Sequence, residues 1–136
     1  MTIATATEPR ANYFVRHWRG ELSLPVSYWV NGVLLGIGLA ILAFAIAMGI
    51  ATGMQGSSSV RPALGIFILV AFAADVVHIV WGGVGVWRSA TNYRAQGRPA
   101  VWAILAKIAV VLGAIRTAVE MLGKDGFPLV VDLLRG

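Results

Sequence analysis

The stretch VLLGIGLAILAFAIAMGI, residues 33–50, carries no charged side chain. About 20 apolar residues cross ~30 Å of hydrocarbon at 1.5 Å each. With its flank from Pro25 or Ser27, this run is long enough to do so, and it predicts a first transmembrane helix over about 26–50. Two further runs follow. Residues 62–87 are apolar except for Asp75 and His78, and residues 100–121 are apolar except for Lys107, Arg116 and Glu120. The expected fold is therefore all-α, with three transmembrane helices in one membrane domain spanning 1–136.

The composition supports this reading. Of 136 residues, 58% are hydrophobic and 12% are charged, against about 25% charged in soluble domains. A chain this short cannot hide so much apolar surface in one soluble core. Its sixteen glycines suit membrane helices. The net charge of +5 lies at the ends of the apolar runs, which fits topology and anionic lipid headgroups better than nucleic acid. No cysteine is present, so disulfides, thiolate metal sites and cysteine nucleophiles are excluded. No cleavable signal pattern opens the chain.

Between the runs, residues 51–60 are rich in Gly and Ser and predict a turn. Residues 88–99 read as a polar, basic connection. Residues 1–8 are expected to be disordered. The segment 10–20 predicts a short interfacial helix stopped by Gly20. A turn is expected at 123–126, and 127–136 is an apolar tail too short to span, expected to lie at the interface or against a partner.

Orientation follows from the basic flanks. Arg10, Arg16 and Arg19 precede the first run, and Arg61 stands alone in the first loop. Arg88, Arg94 and Arg98 follow the second run, and Lys124 and Arg135 share the tail with Asp125 and Asp132. This alternation predicts an N-terminus in the cytoplasm and a C-terminus outside. Trp18, Tyr28, Trp29, Trp87, Tyr93 and Trp102 fall at the expected cytoplasmic interface and agree with it.

Helices in lipid pair through small residues and buried polar contacts. Gly32, Gly36 and Ala40 form such a seam on the first helix. Ala71, Asp75, His78, Gly82 and Gly85 do so on the second, and Ala103, Ala106 and Gly113 on the third. They predict a compact bundle. Asp75 and His78 share a helical face well inside the second span, where a charge is costly. Two readings follow: a polar clamp with Arg116 or Lys107, whose depth differs from that of Asp75 by about 6 Å in the case of Arg116, or a proton or ion path. Lys107 is expected to snorkel, and Arg116 to pair with Glu120 at i,i+4.

Ala74 and His78 form an Ala-x-x-x-His pattern that resembles purple-bacterial light-harvesting polypeptides. That resemblance implies haem or chlorophyll-type pigment binding at His78, although those polypeptides have one span. The segment RHWRGELSLPVSYWVNG, residues 16–32, resembles the N-terminus of small uncharacterised bacterial inner-membrane proteins with an HWRGELSL-type segment. This likeness implies that membrane as the location and brings no activity. Arg16, His17, Trp18, Arg19, Glu21 and Trp29 there suggest interfacial anchoring or a docking surface.

No enzyme constellation, metal-ligand spacing or phosphate loop is visible. The expected role is a non-catalytic accessory subunit of a larger membrane complex, or a homo-oligomer, with no resident cofactor. A proton or ion pathway and pigment carriage are the alternatives.

Overall fold

The computed structural model describes residues 11–123 and 126–135, and within them it is helical, with no strand. The expectations for residues 1–8, Arg10, Lys124 and Asp125 fall outside the described residues. Five helices follow in order: α1, Tyr13–Trp18; α2, Val26–Gly53; α3, Val60–Ala95; α4, Ala100–Leu122; and α5, Phe127–Arg135. Three of them are long and apolar enough to cross a membrane.

The ends of these helices have local causes. Asn12 caps α1 by accepting from the Val15 N–H at 2.9 Å. Gly20 ends α1. Its φ of +73° turns the chain while its N–H donates to His17 O and the Glu21 N–H donates to Arg16 O, the paired bonds of a Schellman motif. The first turns of α2, Val26–Leu34, are wound as a π-helix, a rare form that recurs at functional sites. Gly97, with φ +74°, ends α3 before Pro99 opens α4.

At 36 residues, α3 is about 54 Å long, well beyond the hydrocarbon thickness. The polar stretch from Arg88 to Ala95, expected as connection, is helix. Its inward face, Ser89, Ala90 and Tyr93 in line with Val86, is made of small or polar residues and so gives no apolar stripe to mark the helix. This projecting end gives α1 and the start of α2 a surface to pack on. The buried apolar centre lies here too: Leu24, Val86, Ala90, Ala103 and Ala106.

At the opposite end, α5 folds back on the first turns of α3. Val130 is buried, Leu133 and Leu134 lie against Gly65, and Arg61 Nη2 meets Asp132 Oδ2 at 3.1 Å. The tail expected to lie at an interface or against a partner is thus held by the chain itself.

The expected small-residue seams are only partly used. Gly82, Gly85, Ala103 and Ala106 are buried, and Gly36 lies against the His78 ring. Ala40 and Gly113 are exposed, and no residue of Leu35–Gly53 is buried. Close packing is therefore concentrated at the two ends of α3, on α1, α2 and α4 at the basic end and on α5 at the other, and does not run through the full length of a compact bundle. Small side chains permit close approach but do not cause it where no facing helix supplies polar contacts.

Candidate functional site

Two features stand out: a buried polar knot at the basic end, and an open groove along α3.

The knot centres on Asn31. Tyr13 Oη donates to Asn31 Oδ1 at 3.0 Å, which orients the amide so that Nδ2 donates to His17 Nδ1 at 3.1 Å. His78 Nε2 donates to the Asn31 carbonyl at 2.9 Å. One residue in the π-wound turn thus ties α1 to α2 and α2 to α3. Beside it, Ser27 Oγ and Ser89 Oγ share a buried bond of 2.7 Å. Arg88 donates to Trp18 O and Asn92 to Gly20 O, both at 2.9 Å. These two bonds satisfy carbonyls at the end of α1 that its own helix leaves free.

His17 is fully buried, which corrects its expected place on an interfacial or docking surface. Its ring packs at a tilt against Trp81, with centroids 4.3 Å apart, and lies directly over Gly85. Any Cβ at Gly85 would overlap the imidazole. Trp18, Arg19, Glu21 and Trp29 remain exposed, with Arg16 half-buried. The short helix is therefore a plug seated in a glycine slot, with its basic and aromatic rim outward. The His17–Gly85 fit joins residues far apart in sequence, so no periodicity could reveal it. Asn31 was also missed, although an amide at the mouth of an apolar run was a usable signal.

Accepting from Asn31 leaves the His17 proton on Nε2, which has no hydrogen-bond partner among the described residues. Burial holds the His17 pKa below its ordinary value, the His78 ring adds slightly to this, and the Gly82 backbone works the other way. A depressed histidine pKa means the seated state binds fewer protons than the released one. Seating is then complete above the free-histidine pKa of about 6.5 and weakens as pH falls below it. The thermal midpoint in detergent is expected to drop between pH 7.5 and 5.5, and His17→Gln is expected to remove that slope.

The groove runs beside α3 between α2 and α4 and encloses about 590 Å³. Gly32 and Gly36 line it from α2, Asp75 and His78 from α3, and Gly113 and Arg116 from α4. The expected clamp is not formed. Arg116 Nε donates to Glu120 Oε1 at 2.7 Å, and Lys107 Nζ sits 4.9 Å over the Trp87 ring. Both cations have nearer partners, so among the described residues Asp75 has no ion pair. The His78 ring lies between Gly36 and Gly82, its Nε2 already donating to Asn31 O. That nitrogen is therefore not free for a haem or chlorophyll-type metal. A second, aromatic cleft of about 390 Å³ continues the groove toward the basic end, with Tyr28 lining both.

The chain matches no protein-family model, no curated protein and no solved structure. What the fold defines is an all-helical protein with three helices long and apolar enough to cross a membrane.

Proposed function

We propose that this chain is a non-catalytic accessory subunit of a larger membrane assembly, or of a homo-oligomer, and that the groove receives a helix of the neighbouring subunit. It would sit in a bacterial inner membrane, N-terminus inside and C-terminus outside, as the placement of its arginines suggests. The observation that carries the reading is the open groove itself. Among the described residues it leaves Asp75 without an ion pair, and it leaves the Arg116 and Glu120 side chains 80% and 58% exposed. A charged group well inside a span, as Asp75 is in α3, faces protein or water as a rule, not lipid. A helix laid in the groove would cover them.

Gly113 offers the test. A Cβ there meets nothing within 4 Å, so Gly113→Leu fills the groove without disturbing the chain's own packing. Native mass measurement after gentle detergent extraction is expected to show a stoichiometric assembly. Gly113→Leu is expected to weaken it at least tenfold at an unchanged thermal midpoint. A parent that runs as a lone 14.4 kDa chain would end the proposal.

A proton or ion pathway is the second reading, favoured by Asp75 and His78 lining the same groove. It requires proton or ion flux in liposomes that Asp75→Asn abolishes.

A further inference from the structure

We propose that the aromatic cleft at the basic end is a binding site for one anionic diacyl phospholipid, with an acyl chain in the cleft and the phosphate at Arg98. The cleft is walled by Leu24, Tyr28, Trp29, Tyr93, Trp102 and Leu105. Trp29 and Trp102 remain largely exposed beside it. The walls are mostly apolar and the helices that form them are long and apolar enough to span a membrane, so an acyl chain is a natural filling for the cleft. Tyrosine and tryptophan walls suit the boundary between chain and headgroup.

Charge selects the headgroup. Arg98 holds its guanidinium 5.3 Å from the centre of the Tyr93 ring, which is itself a wall of the cleft. The turn at Gly97 sets Arg98 at the start of α4. Arg94 follows Tyr93 directly, and both arginines are exposed. Among the described residues neither enters an ion pair. Arg88 is taken by the Trp18 ring and carbonyl. Glu21, the one described carboxylate at this end, lies 3.9 Å from both Arg16 and Arg19. Arg94 and Arg98 thus keep their charges unpaired by carboxylates among the described residues, Arg98 on the Tyr93 wall of the cleft and Arg94 next to Tyr93 in sequence, and basic pockets between membrane helices attract anionic headgroups.

This site does not depend on the partner reading, since a lone chain would bind the same lipid. The test is native mass spectrometry of delipidated protein titrated with phosphatidylglycerol or phosphatidylcholine of identical chains. Phosphatidylglycerol is expected to bind at about fivefold lower concentration per arginine engaged. Arg98→Gln should remove most of that preference, and Trp102→Ala should weaken both lipids. Arg61→Gln, at the opposite end, should change neither. Equal binding of the two lipids, a preference that survives in the Arg94→Gln/Arg98→Gln double variant, or no effect of Trp102→Ala would overturn the proposal. Both arginines are exposed, so their variants keep the fold, which circular dichroism checks.

Discussion

Gly85→Ala is expected to unseat the N-terminal plug. The added methyl would occupy the space of the His17 ring, and that ring cannot swing aside. It is held by Asn31 on one edge and packed on Trp81. Overpacking a closed site costs about 1–3 kcal/mol. If the cost falls on seating, the released population rises about 5–150-fold, since each 1.4 kcal/mol is tenfold. Trypsin cleavage after the exposed Arg19 reads that population when opening and closing are fast. The double variant Gly85→Ala/His17→Ala keeps the added methyl but removes the ring it would strike. It should lose less stability than the sum of the singles, by about 0.5–3 kcal/mol. Strict additivity would mean that His17 and Gly85 do not meet as described.

Asn31→Leu is the second large effect. It removes the partners of Tyr13 Oη and His17 Nδ1 together. A buried polar group left unsatisfied costs about 1–3 kcal/mol. His17 bears that cost in full because it is buried, whereas the half-exposed Tyr13 can turn to water. The expected loss is about 1–3 kcal/mol in reversible unfolding in mixed micelles. Asn31→Asp discriminates further. A carboxylate beside His17 favours the imidazolium, so the folded pKa would rise above the free value in place of falling below it. Stability would then be greatest below the free-histidine pKa and decline as pH rises through the raised one, the reverse of the parent's slope. An unchanged slope would show that the two side chains are not in contact.

Both expectations concern the plug, and the plug was the part least legible beforehand. The motif around His17 stood out by its mixture of arginine, tryptophan and histidine. It read as surface because amphipathic, basic segments at a membrane boundary usually are. Nothing local distinguishes a histidine over lipid from one pressed into a glycine on a helix nearly seventy positions on. Gly20 is a contrasting case. Its role in ending α1 was readable, because a glycine after a helical stretch is a local signal. Its second role was not: a Cβ there would meet Arg88 and Ser89 at 2.6–2.8 Å. The Asp75 clamp failed for a related reason. Spacing along two helices placed Arg116 within reach, yet Glu120, one turn away on the same helix, was nearer.

Hydropathy by itself dictated the three long helices, since apolar length against bilayer thickness is a property of each segment taken alone. The i,i+4 position of Arg116 and Glu120 was equally local. Which glycines carry neighbours, where α1 sits, and that α5 returns to α3 depended on the assembled fold. Those contacts pair residues whose separation in the chain is large and aperiodic, and lipid supplies no hydrophobic preference to select one helix face over another. Shape and hydrogen bonding make that selection, and they exist only once the helices have met.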